Sequence, residues 1–218
     1  MSFLPAHSTM KRFRGILNLV IRVPEVKNMC GRFYVPEYDS IYTIREIMEE
    51  LEKRNVKVKT GEVFPGDIAA VVASNRRLEP QPFAMEWGYH LPDGKRIINA
   101  RSETAAQKVM FADGMRQRRC LIPAAHYYEW EKAAGKKVKY AIGPKNSDGF
   151  YLAGVYRIEA GKPVFTILTS AAAEGISFIH ERMPVILPSE ATTDWLNPRY
   201  HGNDILRAAL TEMEYKAC

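Results

Sequence analysis

The chain has 218 residues, 46% of them apolar and 26% charged, ordinary for one soluble globular domain. No apolar run approaches ~20 residues, which excludes a membrane-spanning helix. Three cysteines at positions 30, 120 and 218, with no CxxC and no histidine at zinc-ligand spacing, exclude a disulfide scaffold and a zinc module and fit a reducing cytosol. The net charge is +6, but Lys11, Arg12, Arg14, Arg22 and Lys27 against Glu25 put most of it in the first 28 residues. The body is therefore only mildly basic, and its charge alone does not argue for nucleic acid.

Residues 1–28 are basic, modestly apolar and broken by Pro5 and Pro24. They have no clean apolar core and no small-residue cleavage site, so a mis-assigned start is favoured over a propeptide or targeting arm. If Met29 is the true start, the small Cys30 behind it permits removal of the methionine. Cys30 then heads the chain.

After the strand in "CGRFYV", "DSIYTIREIMEELEKRN" predicts an amphipathic helix capped by Asp39 or Ser40, with Ile41, Ile44, Met48 and Leu51 at helical spacing. "IAAVVAS" (68–74) and "PFAMEWGY" (82–89) predict strands, and "ETAAQKVMF" (103–111) a short helix. "RCLIP", "HYYEWEK", "VKYAIG", "FYLAGVYR" and "PVFTILTS" predict five more strands, separated by Gly/Pro/Asn/Asp turns. Two closing helices are expected near Ser189–Leu196 and Asp204–Met213. Strands that follow strands without βαβ alternation predict a single α+β domain over residues 29–218, with a curved, largely antiparallel, barrel-like sheet flanked by helices.

Several groups could do chemistry. An internal Cys30 is an ordinary small hydrophobe. A leading Cys30 carries a thiol beside an α-amine whose pKa lies near ~8, so that amine is far more often neutral than a lysine's. Such a pair condenses with an aldehyde to an imine and closes a thiazolidine ring. Glu129 stands among aromatics in "HYYEWEK"; in a strand it shares one face with Tyr127, while Tyr128 and Trp130 share the other. Desolvation there suits a proton shuttle. His180 in "IHERMP" and Asn99 and Arg101 in "INARSET" offer a polarising ring, an amide and a phosphate clamp. Taken singly, each is as readily a surface or structural residue. Arg32, Lys108, "RQRR" (116–119) and Arg182 with Tyr34, Trp87, Tyr89 and Trp130 form a weakly specific mix of cations and flat rings that single-stranded nucleic acid would need.

In their order and spacing, "MCGRF", "WGY", "INARSET", "RCLIPA", "YYEW", "ILTSAAA" and "IHERMPVIL" resemble the SOS-response-associated peptidase (SRAP) family, from Met29 to about Leu196. The resemblance implies the SRAP fold and processing of abasic sites in single-stranded DNA by a monomer, without metal, cofactor or membrane, in a cytoplasm where it joins the nucleoid on DNA. It implies that Cys30 forms the thiazolidine, with Asn99, Glu129 and His180 as catalytic partners. It implies DNA contacts at Arg32, Arg101, Arg182, Trp87, Trp130 and Thr169, with Pro65 and Lys108 beside them. Departures are the extension before Met29, "EVFPGD" in place of an N-x-A-P segment, Val109 at a position that is basic in some members, and His126 where glycine is common. Two other readings stand beside this one: an autoproteolytic thiol peptidase that uses Cys30, His180 and Glu129, and a non-enzymatic single-strand binding module.

Overall fold

The computed structural model describes residues 31–37, 42–133 and 136–218. In chain order the elements are β1 (Phe33–Val35), α1 (Tyr42–Lys53), β2 (Gly61–Val63), β3 (Ile68–Ser74), β4 (Pro80–Trp87), β5 (Tyr89–His90), β6 (Arg96–Ile97), β7 (Asn99–Arg101), α2 (Ser102–Ala105) and α3 (Val109–Gln117). The second half holds β8 (Arg119–Ala124), β9 (His126–Ala133), β10 (Lys136–Pro144), β11 (Phe150–Glu159), β12 (Lys162–Ala171), β13 (Arg182–Pro184), β14 (Ile186–Leu187), α4 (Ser189–Leu196), α5 (Gly202–Ile205) and β15 (Met213–Ala217). The expected α+β class with a barrel-like, largely antiparallel core is what the chain forms.

Strands β3, β4, β12, β11 and β8 pair in that order, and β8 returns to β3, so five strands close into a barrel. Every pairing in the ring is antiparallel except β4 with β12. Closure removes the open edges a five-stranded sheet would otherwise expose. Strand alternation sorts the apolar side chains. Val72, Leu121, Val155 and Leu168 meet residues of α1, α3 and α4 outside, while Val71, Met85, Trp87, Ile122, Phe165 and Ile167 fill the inside. A narrow barrel accommodates Trp87 and Phe165 only where their neighbours are small, as Ala69, Ala73 and Gly154 are.

A second sheet, β15-β10-β9-β1-β2, packs its inner face on the end of this core. Phe33, Tyr127, Ile142 and Tyr215 stand opposite one another across four of its five antiparallel strands. The next rung holds Glu129, Tyr140 and Ala217. All of these share the inner face, and Tyr34, Tyr128, Trp130 and Lys139 share the outer one.

The helix predicted from residue 39 begins at Tyr42 and buries Ile44, Ile47 and Leu51; its predicted cap and Ile41 lie outside the described residues. Two expectations are corrected. The helix expected at 103–111 is two: α2 stops after one turn, and α3 continues to Gln117. The "RQRR" run ends α3, and its last member, Arg119, is buried, donating to the carbonyls of Met115, Trp195 and Asn197 that α3 and α4 leave unpaired. The helix expected at Asp204–Met213 is only the short α5 with a 3₁₀ turn at Leu206–Ala208, and Met213–Ala217 is a strand. Pairing with the otherwise open edge of β10 overrides the weak helical pattern of that segment.

Candidate functional site

Cys30 lies outside the described residues. Gly31, which follows it, leads into β1, and the β1–β9 register places it. Phe33 faces Tyr127, and the Tyr128 N–H donates to the Arg32 carbonyl at 2.9 Å. One further residue along the same register sets Gly31 level with Glu129. Among the described residues, nothing beyond its chain neighbours lies within 4 Å of where a Gly31 side chain would begin.

Glu129 is 4% exposed, and among the described residues only it and Arg119 are buried while carrying a charged side chain. Arg119 is explained by the helix-end carbonyls it satisfies. Glu129 is a carboxylate buried on the aromatic inner face of the second sheet, opposite Tyr140, the kind of group that chemical sites hold.

Neither of the other cysteines can head the chain. Cys120 is inside the barrel, where burial pushes its thiol far above the ordinary range, and Cys218 is exposed at the chain end.

Asn99 and Arg101 occupy β7, which lies parallel to β12 with Asn99 opposite Ile167 and Arg101 opposite Thr169. Arg101 is exposed and, among the described residues, forms no ion pair. Arg182 is different. It forks onto both carboxylate oxygens of Glu103, one at 2.8 Å, and its Nη2 also donates to the Thr169 carbonyl at 2.7 Å. That guanidinium keeps the Glu103 carboxyl below its ordinary range. Arg182 thus ties β12, β13 and the start of α2 together. His180 precedes it by two residues, and the Arg182 N–H donates to its Nδ1 at 3.0 Å. The Arg182 carbonyl lies 3.2 Å from the same ring nitrogen, so both backbone groups of Arg182 hold the imidazole.

Two expected DNA contacts are corrected. Trp87 is fully buried: its ring packs 5.1 Å from Phe33 and 6.2 Å from Phe165, and its Nε1 donates to the Ile98 carbonyl at 3.0 Å. It offers no face to a strand and instead fixes β1 relative to the residue before Asn99. Thr169 is also fully buried, with Oγ1 donating to the Ala100 carbonyl at 3.4 Å. It holds β7 and Arg182 in place.

Arg32 and Trp130 lie on the outer face of the second sheet, across the pleat from Glu129. The Arg32 guanidinium sits 4.5 Å from the Phe64 ring centroid and 4.9 Å from that of Trp130. It also meets Glu62 at 3.3 Å, and Lys139 bonds the other Glu62 oxygen while resting 3.7 Å over the Tyr128 ring. Among the described residues, two cations meet one carboxylate at this ring-lined edge. Pro65 is exposed in the turn beside it. The turn Phe64–Asp67 is closed by the Asp67 N–H on the Phe64 carbonyl, and Gly66 at φ +94° supplies the left-handed residue that a Pro-Gly turn requires. Lys108 caps α3, beside a Val109 that is 96% exposed.

Sequence reasoning missed Phe64, Glu62, Lys139 and Tyr140. Glu62 and Phe64 lie in "EVFPGD", which reads in the sequence only as a departure from an N-x-A-P segment, and Lys139 and Tyr140 lie in a strand with no motif; strand register brings all four to the site. Among the described residues, no group of three or more His, Cys, Asp or Glu side chains is placed to hold a metal ion, and no helix is long and apolar enough to cross a membrane.

The family model for "SOS response associated peptidase (SRAP)" matches residues 29–217. The chain belongs to the SRAP family. The match begins at Met29, one residue before Cys30. SRAP relatives include the abasic site processing protein YoqW of Bacillus subtilis, 33% identical over 84% of this chain and 86% of that protein. The abasic site processing protein YedK of Escherichia coli is 28% identical over 81% and 83%. A crystal structure of a Bacteroides thetaiotaomicron protein shares the SRAP fold, with a TM-score of 0.70 over 86% of this chain and 91% of that one, at 21% identity.

Proposed function

We propose that this protein processes abasic sites in single-stranded DNA by forming a covalent thiazolidine crosslink through Cys30. The observation that carries this reading is the placement of buried Glu129 level with Gly31, at a strand entry immediately after Cys30. The names of the SRAP relatives, all abasic site processing proteins, support it.

The chemistry runs in three steps. An abasic sugar is mostly a closed hemiacetal, and Glu129 moves a proton to and from its ring oxygen, releasing the C1′ aldehyde. The neutral α-amine of Cys30 adds to C1′, and the resulting carbinolamine loses water, with Glu129 protonating the departing hydroxyl, to give an imine. The Cys30 thiol then adds across the C=N bond: sulfur bonds to C1′, the thiol proton ends on nitrogen, and the ring closes. Closure is intramolecular, so the entropic cost of a second encounter is avoided. His180 and the Asn99 amide orient the sugar oxygens. Arg101 and the Arg32 edge take the phosphates, Trp130 and Phe64 stack on flanking bases, and Arg182 braces the pocket from behind. A crosslinked sugar has no free aldehyde to drive β-elimination; an imine that fails to close can instead promote it, which is lyase activity. Residues 1–29 must be absent for the amine to exist.

The test compares three chains on single-stranded DNA with one natural abasic site, read by denaturing gel and intact mass. A chain starting at Cys30 forms a heat-stable adduct whose mass is the sum of protein and DNA less one water. Cys30→Ala loses the stable adduct but keeps an imine that borohydride can trap. The chain retaining residues 1–28 forms neither. A Cys30→Ala chain that crosslinks as stably as its parent defeats the assignment. The peptidase reading keeps one distinguishing outcome: a full-length chain that cuts itself between Met29 and Cys30, and a Cys30→Ala chain that does not.

A further inference from the structure

Three aromatic rings meet beside this site and have no place in the crosslinking steps. Tyr140 comes from β10, Tyr215 from β15, and Phe178 from the loop between β12 and β13, two residues before His180. Their centroids are 5.3 to 6.0 Å apart, and all three pairs meet edge to face. The Tyr140 hydroxyl donates to Glu131 at 2.9 Å, which fixes the central ring. Phe178 and Tyr215 nevertheless stay 49% and 47% exposed. Tyr140 stands directly opposite Glu129 in the β9–β10 ladder, on the same face of the sheet. The cluster therefore borders the buried carboxylate on one side and the His180 loop on the other.

Two half-exposed rings present on the order of 200 Å² of flat apolar surface. That is the footprint of one or two nucleobases and far short of the ~1,000 Å² a stable protein partner needs. Edge-to-face packing also leaves a ring face turned outward, the geometry a base stacks upon. We infer that Phe178, Tyr140 and Tyr215 form a stacking platform for an unpaired nucleobase neighbouring the abasic nucleotide, on one defined side of the lesion. This rests on the abasic-site reading above and deepens it: the substrate would need an unstacked base on that side, so single strands and strand junctions are taken and a lesion inside a closed duplex is not. The platform is indifferent to base identity, because every base has a flat face.

The experiment measures equilibrium binding of a fluorescent single strand carrying a tetrahydrofuran abasic analogue. The analogue lacks an aldehyde, so binding is read independently of Cys30. Phe178→Leu keeps apolar bulk against Tyr140 and Tyr215 but removes the flat face, and Phe178→Trp keeps it. The expected result is a loss of about 5- to 100-fold for Phe178→Leu and none for Phe178→Trp. On a strand whose neighbouring nucleotide on that side also lacks its base, parent and Phe178→Leu should bind alike. Tyr215→Ser, on an exposed position, should repeat the pattern. An unchanged affinity in both Phe178→Leu and Tyr215→Ser overturns the platform. So does a loss that persists equally on the strand without the neighbouring base, since that is the signature of a clamp on the His180 loop. The two readings separate cleanly: base-dependent binding with no crosslink to a natural abasic site sinks only the chemistry, and crosslinking without base dependence sinks only the platform.

Discussion

At the residue scale, the arginines divide by what they already touch. Arg101 is exposed without an ion pair among the described residues, while Arg182 is spent on Glu103 and the Thr169 carbonyl. Arg101→Ala should weaken single-strand binding several-fold and lower the slope of log affinity against log salt by about 1, with the melting temperature unchanged. Arg182→Ala should instead lower stability by about 1–3 kcal/mol, because it leaves the buried Thr169 carbonyl without this donor and frees the Glu103 carboxylate. Binding isotherms at several salt concentrations and urea titrations of both variants check the division. Both arginines look alike as sequence. Only the reach of Glu103 from α2 to β13 makes one a strut and leaves the other available.

At the element scale, the barrel wall and the β1–β9 pairing make different demands. A Cβ on Gly154 in β11 would lie 2.6 Å from Ile122 Cδ1 and 2.9 Å from the Thr166 carbonyl, contacts that real structures do not show. Gly154→Ala should cost about 1–3 kcal/mol, read as a lower urea midpoint at unchanged slope. The β1–β9 pairing responds to pH instead. His126 of β9 stacks flat on Tyr34 of β1 at 4.7 Å, and its Nε2 meets the Tyr128 hydroxyl at 2.9 Å. Desolvation, then the Lys139 charge, hold its pKa below the ordinary 6.5. The unfolded chain therefore takes up this proton first, so the stabilisation is complete above about pH 6.5 and is lost as pH falls through the lowered folded value. Glu62, held below the ordinary 4.5 chiefly by its hydrogen bond from Lys139, adds a second loss as pH falls from about 4.5 through its own lowered value. Urea midpoints followed from pH 7 down to well below pH 4 should fall in these two stages, and His126→Gln should remove the first. The sequence showed both strands, but not that they pair; a histidine in "AAHYYEW" becomes a pH-sensitive contact only when β1 lies beside it.

At the scale of the whole molecule, the site exists because a barrel and a second sheet are fastened together. Trp87 joins β1 to the strand entry before Asn99, and Phe178 joins the His180 loop to β10 and β15. Deleting residues 213–218 removes β15, reopens the edge of β10 and takes away Tyr215. Thermal unfolding should fall by a few degrees, at roughly 2–4 °C per kcal/mol for a chain of this size, and crosslinking should slow with it, since Tyr140 and Glu129 share the loosened ladder. A scan of fluorescence against temperature and a crosslinking time course measure the two effects. The sequence by itself determined the fold class, the family, most strands to within a residue or two, the first helix and α4, because period-2 and period-3.6 patterns and ordered motifs are local properties of the chain. The tertiary structure alone decided that Trp87 and Thr169 are internal supports, that Arg182 is a brace, that the last predicted helix is an edge strand, and that three rings distant in sequence meet beside Glu129. Those outcomes depend on barrel closure and strand register, which bring together residues dozens of positions apart and leave no local signature.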